Sequence, residues 1–225
     1  MKVLAVGPHP DDVEIGMGGT VLALRAAGHE VVVCDLTNGE PTPIGTPERR
    51  AREAAAAAQV LGVRRVTLEM PNRYLADTVD ARNRVAEVIR EVRPEMLFIP
   101  YWADAHPDHV SAASLCEAAR FYAKLTRTTI RGEPVYPRRV VHYICTHYNL
   151  HIQPSFIMDV TPHIDAKLRA VAAYGSQFGP ERGNEGFFED LRAWNRYFGA
   201  LIRTGYGEPF VLREEVGLRG LDQFI

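Results

Sequence analysis

Short apolar strands alternate with helical segments through the first half of the chain, and this alternation restricts the possible folds more than any other feature. The predicted strands are residues 2–6, 30–36, 65–68 and 96–100, and the predicted helices are residues 17–27, 47–61, 80–92 and 107–124. Such alternation is typical of βαβ units, whose right-handed crossovers place helices on both faces of a sheet. The pattern therefore predicts an α/β fold, a three-layer sandwich around a mostly parallel sheet.

The second half of the chain is less regular. Its predicted strands are residues 139–145 and 155–159, and its predicted helices are residues 162–174 and 185–203. The tail from residue 205 is short and mixed in composition, so we expect it to pack on the surface or against a neighbouring subunit. No linker, repeat or low-complexity segment interrupts the chain, and 225 residues suit one α/β domain. We therefore expect residues 1–225 to form a single domain.

The charge and composition argue against several classes of protein. The formal net charge is −2, which gives no general affinity for nucleic acid or for an anionic membrane. No window approaches the roughly 18 consecutive apolar residues of a membrane-spanning helix. The cysteines Cys34, Cys116 and Cys145 are odd in number and widely spaced, which predicts free thiols in a reducing compartment. We therefore expect a cytoplasmic protein that binds neither nucleic acid nor membrane.

Two motifs rich in histidine and aspartate follow predicted strands. The first, HPDDVE at residues 9–14, comes after the first strand, and the second, HPDH at residues 106–109, comes after the fourth. In an open α/β sheet, ligands bind at the carboxyl ends of the strands, and strands from the two halves become neighbours at the switch point. We therefore expect the two motifs to meet in one site.

Together the motifs supply the ligands of a catalytic metal. His9 and Asp12 are three residues apart in a turn, so both side chains can point into one cavity, which His109 can also reach. Two imidazoles and one carboxylate leave a position open for water, as in catalytic zinc sites. Zinc is favoured over magnesium because two imidazoles are present, and another divalent metal such as Fe²⁺ is the alternative. For His9 and Asp12, the competing interpretation is capping of the following helix.

The other polar residues of the motifs are candidates for catalytic roles. Asp11 lies beside the proposed ligand Asp12, where it is placed to take a proton from water; its alternative role is to cap the helix. His106 is predicted to contact a substrate oxygen, with Asp108 holding it protonated and oriented. Its alternative is a solvated loop residue. Glu14 is predicted either to hydrogen-bond a metal ligand or to cap the first turn.

The paired motifs resemble those of the PIG-L/LmbE family of zinc-dependent N-acetylglucosaminyl deacetylases, most closely the bacterial deacetylases of bacillithiol synthesis. The order of elements agrees over about residues 1–200. The resemblance implies a Rossmann-like fold, a homo-oligomer (trimer or hexamer), and removal of acetate from a small amino-sugar conjugate such as N-acetylglucosaminyl malate. The site roles that it implies are zinc on His9, Asp12 and His109, a general base at Asp11, and an electrophile at His106 paired with Asp108.

Four further residues are expected to contact the substrate. Relatives use an arginine in the helix after the second strand for sugar hydroxyls; Arg50 matches best, with a solvated helix face as the alternative. Asn72 stands where many relatives carry an aspartate, a departure that bears on the sugar-hydroxyl contact. Tyr174 and Gln177 belong to the segment YGSQF, which resembles one common in the bacterial branch. These two side chains are expected to line the pocket, with core packing as the alternative.

Two other functions stay open from the sequence. One is amide or ester hydrolysis of a non-sugar substrate at the same metal, and the other is metal or sugar binding without catalysis. The proposed base and electrophile argue against a passive binder, which needs neither. The glycine-rich segment at residues 16–19 lacks the spacing of a dinucleotide-binding loop. The remaining histidines are interpreted as structural residues rather than metal ligands, and the alternative for His147 and His151 is a place at the pocket mouth.

Overall fold

A seven-stranded sheet with helices on both faces forms the described part of the protein, which comprises residues 1–184, 186–218 and 220 of a computed structural model. The strands are β1 (Lys2–Gly7), β2 (Glu30–Thr37), β3 (Arg64–Met70), β4 (Met96–Pro100), β5 (Arg139–Tyr143), β6 (Phe156–Asp159) and β7 (Gly207–Val211). The helices are α1 (Asp12–Ala26), α2 (Pro47–Leu61), α3 (Val79–Val92), α4 (Pro107–Ala123), α5 (Ile164–Ala172), α6 (Gly175–Phe178) and α7 (Phe187–Leu201). Neighbouring strands from β1 to β5 are parallel, and β7 is antiparallel to both of its neighbours. The predicted α/β fold with a mostly parallel sheet is confirmed.

The strand order, β3-β2-β1-β4-β5-β7-β6, changes direction at β1, and this change positions the two motifs. From β1 the chain adds β2 and β3 on one side, whereas β4 and β5 lie on the other. β1 and β4 are hydrogen-bonded neighbours, with Val3 opposite Met96 and Ala5 opposite Phe98. The residues that follow these strands therefore leave the sheet side by side at its carboxyl edge, where open α/β sheets bind ligands.

The sheet is buried on both faces. Leu4 and Val6 belong to the apolar cluster that includes residues of α3 and α4. Val3 and Ala5 belong to the opposite cluster, which includes residues of α1 and Phe210 of β7. A parallel strand that is covered on both sides is a continuous apolar run, which explains why this segment predicts a strand without alternating polarity.

Some predictions fall partly on residues outside the described chain. Residue 185, where the last predicted helix begins, and residues 219 and 221–225 of the predicted tail are not among the described residues. Among the helices that are described, none has both the length and the apolar composition needed to cross a bilayer.

The tail contributes a strand to the sheet, contrary to the prediction that it packs on the surface. Strand β7 lies between β5 and β6. Its sequence, GEPFV, contains glutamate and proline, two residues that are depleted in strands, so the segment carries little local strand signal. Long-range contacts fix its pairing instead: Phe210 is fully buried, opposite Tyr143 on one side and Phe156 on the other.

Glu208 of β7 connects this strand to α1 through hydrogen bonds and to α5 through a buried ion pair. Its carboxylate accepts hydrogen bonds from the amides of Gly19 (2.9 Å) and Thr20 (2.6 Å) and from Nζ of Lys167 (2.7 Å). Met17 has non-helical dihedral angles that interrupt α1, so the amides of the next turn need acceptors outside the helix. Glu208 supplies these acceptors, and Lys167 of α5 balances its charge, with both side chains fully buried.

Replacing Glu208 with Gln is expected to lower the free energy of unfolding by about 3 kcal/mol, because the ammonium of Lys167 is left buried without a counter-charge. Urea unfolding followed by circular dichroism measures the loss. Asp165→Asn is the control, since the Asp165–Arg192 pair is exposed and such pairs contribute at most about 1 kcal/mol. Equal destabilisation of the two variants would contradict the role assigned to the buried pair.

Candidate active site

A cavity of about 580 Å³ opens at the carboxyl edge of the sheet, where the two motifs meet. Its wall contains residues from the turns after β1, β4 and β5, from the loop after β2, and from α6 and α7. Five of the six residues predicted for metal binding and catalysis line it, and the exception is Asp108. The volume lies within the range of sites for small organic ligands.

His9, Asp12 and His109 converge on one point of the cavity wall. His9 lies in the turn after β1, Asp12 begins α1, and His109 lies in the first turn of α4. The Asp12 carboxylate lies between the imidazoles: Oδ2 is 3.2 Å from Nδ1 of His9, and Oδ1 is 3.3 Å from Nε2 of His109. All three residues are buried, and one potential ligand atom from each lies within 4.8 Å of the others. The structure thus brings together the three residues predicted as metal ligands.

The electrostatics of this group favour a cation. Burial lowers the pKa of His9, but hydrogen bonds to Asp108 and Asp12 outweigh this effect and raise that pKa to about 9. Burial also lowers the pKa of His109, whereas Asp12 and Asp104 raise it to about 10. Both imidazoles therefore attract protons strongly, and a divalent cation can take the place of those protons. A donor set of two histidines and one aspartate fits a catalytic zinc site.

In His9 and in His109, the ring nitrogen that faces away from Asp12 contacts a hydrogen-bond acceptor of the protein. Nε2 of His9 lies 3.1 Å from Oδ2 of Asp108. Nδ1 of His109 lies 3.0 Å from the carbonyl oxygen of Cys145 and 2.8 Å from Oδ2 of Asp104. Such acceptors orient metal-binding histidines, which leaves Nδ1 of His9 and Nε2 of His109 as the metal-facing atoms. Two other potential ligand groups share these histidines and compete with this arrangement: His9–His106–Asp108 and Asp104–His109–His147.

Asp11 lines the cavity and does not cap α1. Its side chain makes no capping hydrogen bond, and its φ of 126° is a strained conformation for a residue other than glycine. Its Oδ2 accepts a hydrogen bond from Nη2 of Arg50 at 2.7 Å. Burial raises the pKa of Asp11 to about 7, although Arg50 opposes the shift. A carboxyl group with a pKa near 7 is suited to accept and return a proton at neutral pH.

The predicted pairing of His106 with the Asp108 carboxylate is wrong. The carboxylate faces the loop after β3, where it accepts hydrogen bonds from the amides of Arg73 (2.7 Å) and Leu75 (3.1 Å), and it also contacts His9. Nδ1 of His106 accepts a hydrogen bond from the amide of Asp108 at 3.2 Å. Burial and the nearby imidazoles of His9, His109 and His147 lower the pKa of His106 to about 4, so the ring is neutral and carries its proton on Nε2.

Glu14 and Tyr174 belong to a buried network behind the cavity. Glu14 accepts hydrogen bonds from Nη1 of Arg65 (2.5 Å) and Oη of Tyr174 (3.0 Å), so it fills neither of its predicted roles. Arg65 in turn donates two hydrogen bonds to Asp35. Tyr174 is fully buried, and its ring centre lies 5.3 Å from the guanidinium carbon of Arg50. The prediction that Tyr174 lines the pocket is therefore wrong, and its ring packs against Arg50 in the core.

The other three residues predicted to contact substrate do line the cavity. Nε and Nη1 of Arg50 and Oδ1 of Asn72 are buried and have no hydrogen-bond partner within the described chain. Gln177 donates from Nε2 to the hydroxyls of Thr42 (3.3 Å) and Ser176 (3.0 Å). Because buried polar atoms are costly when left without a partner, the free atoms of Arg50 and Asn72 are suited to bind the hydroxyl groups of a ligand.

Two parts of the site are absent from the sequence-based prediction. One is Asp104, which precedes the second motif by two residues; that proximity was the available signal. The other is an aromatic wall of Phe178, Phe187 and Trp194 on α6 and α7, where the first two rings stack with centres 4.3 Å apart. Phe187 and Trp194 are far from both motifs in sequence and carry no local signal, whereas Phe178 is the last residue of the family-like segment YGSQF. Of the two histidines for which the pocket mouth was an alternative, His147 lines the cavity.

Replacing Asp108 with Asn is expected to weaken the binding of a divalent metal, with zinc as the probe, by about 10- to 100-fold, because the carboxylate orients His9. Competition with a chromophoric chelator at fixed pH measures the affinity. Asp80→Asn provides the control, since Asp80 also lies in the first turn of a helix but is exposed and remote from the cavity. If the two variants bind zinc equally well, Asp108 does not orient a metal ligand.

Comparisons with known proteins agree with the family resemblance of the two motifs. The family model for the PIG-L family, described as GlcNAc-PI de-N-acetylase, matches residues 4–120. The chain is 32% identical to diacetylchitobiose deacetylase of Thermococcus kodakarensis, over 92% of this chain and 81% of that protein. It is also 32% identical to 1D-myo-inositol 2-acetamido-2-deoxy-alpha-D-glucopyranoside deacetylase of Kineococcus radiotolerans, over 48% of this chain and 42% of that one. A crystal structure of a conserved protein from Thermus thermophilus superposes with a TM-score of 0.88 at 39% identity, covering 96% of both chains.

Proposed function

The chain belongs to the PIG-L family of GlcNAc-PI de-N-acetylases and is an N-deacetylase, and we propose that it uses zinc to remove the acetyl group from an N-acetylglucosamine conjugate. The observation that supports this reaction most directly is Asp11, a buried carboxyl group with a pKa near 7 beside the His9–Asp12–His109 set. Amide hydrolysis at neutral pH needs a base of this kind next to a group that activates water and polarises the carbonyl.

The metal-binding residues in this proposal are His9, Asp12 and His109. A zinc ion held there would lower the pKa of water and polarise a carbonyl oxygen. Asp11 then serves as the base that takes a proton from the attacking water. The same carboxyl group returns the proton to the departing nitrogen, which leaves as a free amine while the acyl group leaves as acetate.

His106 supplies a hydrogen bond to the carbonyl oxygen as negative charge develops on it. The ring is neutral, and because Nδ1 accepts the Asp108 amide, the proton on Nε2 is available for donation. Fixed donors of this kind stabilise an oxyanion by about 3 kcal/mol each. Arg50 holds Asp11 through one nitrogen, and its remaining donors are free for sugar hydroxyls.

The cavity has room for more than the acetylated sugar. We place the sugar beside Arg50 and Asn72, and the remainder of the conjugate against the wall of Phe178, Phe187 and Trp194. Aromatic side chains offer large apolar faces on which a second ring can pack. The deacetylase of Thermococcus kodakarensis, which matches 92% of this chain, is named for diacetylchitobiose, a disaccharide. That name supports a two-ring substrate. N-acetylglucosaminyl malate is the other candidate, from the sequence-based prediction.

Acetate release tests the proposal. Protein stripped of metal and reloaded with zinc is incubated with N-acetylglucosamine, diacetylchitobiose, an N-acetylglucosaminyl inositol and N-acetylglucosaminyl malate. We expect acetate from at least one conjugate, loss of activity after chelation, and recovery with zinc. A simple N-acetylated amine and an acetate ester complete the panel, and activity on these two alone would favour a non-sugar hydrolase. Binding of the sugars without any release of acetate would favour a protein without catalytic function.

A further inference from the structure

Asp104, a buried carboxylate behind the proposed metal ligands, connects them to the cavity rim. It follows β4, and its side chain is fully buried. Oδ1 accepts hydrogen bonds from the backbone amides of His106 and His147, each at 3.0 Å, and lies 3.1 Å from Nδ1 of His147. Oδ2 lies 2.8 Å from Nδ1 of His109. One carboxylate thus links the start of α4 to the loop after β5.

The contact with Asp104 fixes the state of the His147 ring. A carboxylate accepts hydrogen bonds, so Nδ1 of His147 carries a proton and donates it to Oδ1 of Asp104. In the neutral ring, Nε2 is then a lone-pair acceptor. The His147 side chain is 56% exposed and lines the cavity, while Asp104 lies behind the wall. The edge of the ring that carries Nε2 therefore faces away from the protein interior.

The position of His147 places that acceptor close to the proposed chemistry. Its ring centre lies 5.4 Å from that of His106 and 5.2 Å from that of His109. Asp104, His109 and His147 also form a potential ligand group, in which the nitrogen of His109 nearest to Asp104 is Nδ1. That nitrogen points away from the Asp12 side of the ring, so the group competes with the first metal set, and an orienting role for Asp104 is the simpler arrangement.

We propose that His147 is a substrate-binding residue whose Nε2 accepts a hydrogen bond from a hydroxyl group of the N-acetylated sugar, and that Asp104 is the residue that positions it. The inference rests on the proposed function, because it assigns a ligand contact within the same site. A hydroxyl group is the matching donor, since the Nε2 of this tautomer has a lone pair and no proton. A site built around such an acceptor rejects an analogue that lacks the hydroxyl, because the acceptor is then left without a partner.

The test pairs variants of the residue with variants of the sugar. The zinc-loaded wild type and His147→Ala are assayed with N-acetylglucosamine and with its 3-deoxy, 4-deoxy and 6-deoxy analogues. We expect one deoxy analogue to lose about tenfold or more in kcat/KM with the wild type, mainly through KM. With His147→Ala, that same analogue is expected to match the parent sugar. A deoxy penalty that is equal in both proteins at every position overturns the proposal.

His151→Ala is the matched control, because His151 is exposed in the same loop and does not line the cavity. It is expected to keep the wild-type pattern of deoxy penalties. Zinc affinity and thermal unfolding of His147→Ala are expected to equal those of the wild type, since the side chain is half exposed and is not a proposed ligand.

Two further measurements examine Asp104. Nitrogen-15 spectra of the metal-free protein are expected to show His147 protonated at Nδ1 in the wild type and mixed tautomers in Asp104→Asn. The same variant is expected to lose the deoxy discrimination and to bind zinc more weakly. An unchanged tautomer, or full discrimination in Asp104→Asn, overturns the positioning role.

A binding measurement separates this inference from the proposed reaction. If the wild type releases no acetate from N-acetylglucosamine, the reaction on this sugar fails, and calorimetry with the metal-free protein decides the inference by itself. Weaker binding of the sugar to His147→Ala than to the wild type and to His151→Ala supports the contact. Equal binding to all three proteins, or no binding to the wild type, overturns it.

Discussion

The Asp11→Asn enzyme is expected to keep its zinc and to lose about 10³-fold in kcat/KM for acetate release. The amide has nearly the shape of the carboxylate and can still accept the hydrogen bond from Arg50, so the local structure is conserved. It cannot take a proton from water at neutral pH. Loss of the base therefore affects turnover without removing a proposed metal ligand.

Asp12→Asn, the neighbouring substitution, is the matched comparison for this prediction. Asp12 lies between the two imidazoles at 3.2 and 3.3 Å, so its carboxylate is placed as a ligand, whereas Asp11 faces Arg50. We expect Asp12→Asn to lose zinc, and Asp11→Asn to retain it, when metal content is measured after dialysis against a weak chelator. An Asp11→Asn enzyme that lost its zinc, or that kept activity within about tenfold of the wild type, would refute the assignment of Asp11 as base.

The fold was predictable where local sequence determines structure. The first four strands are apolar runs bounded by turns, and their pairing follows from the chirality of βαβ units. Thr46 accepts a hydrogen bond from the amide of Arg49, which confirms the helix start predicted there. Strand β7 was missed because the two strands that pair with it, and the lysine that pairs with Glu208, are distant in sequence. A glutamate is typical of a surface position in sequence. The buried partners of Glu208, which are Lys167 and the interrupted turn of α1, are visible only in the folded structure.

The site was predictable to the extent that topology alone brings residues together. Adjacent carboxyl ends of β1 and β4 are sufficient to place His9, Asp12 and His109 in one group. The direction of each remaining side chain depends on contacts that no motif encodes. Asp108 turns to the free amides at Arg73 and Leu75, in a loop whose conformation the sequence does not reveal.

The same limit explains the other differences. Glu14 accepts a hydrogen bond from Arg65, a residue of β3 that belongs to neither motif. Tyr174 donates a hydrogen bond to Glu14 in the core, so the Tyr174 side chain does not line the cavity. Asp104 and His147 are 43 residues apart, so only the finished sheet, in which β4 and β5 are neighbours, shows that they form a pair.

Metal removal is expected to make the stability of the protein fall steeply between about pH 7 and pH 10. In the metal-free protein, burial lowers the pKa of His9, but its acidic neighbours outweigh burial and raise that pKa to about 9. The pKa of His109 is raised to about 10 in the same way. Histidine in an unfolded chain has a pKa of about 6.5. Because the folded-state pKa is the higher one, the bound proton stabilises the fold fully below pH 6.5, and this stabilisation is lost as the pH rises through 9.

The loss from His9 alone corresponds to about 3 kcal/mol of unfolding free energy. Zinc takes the place of the protons on both imidazoles, so the loaded protein lacks this dependence, and the difference in Tm between loaded and chelated protein is expected to widen with pH. Proton NMR of the chelated protein gives the two histidine pKa values directly, and Asp12→Asn, which lacks their shared counter-charge, should lower both. If His9 and His109 titrate near pH 6.5, or if the Tm difference is constant, the positive charge that we assign to the metal-free site is absent. The group would then be a neutral polar cluster rather than one arranged around a cation.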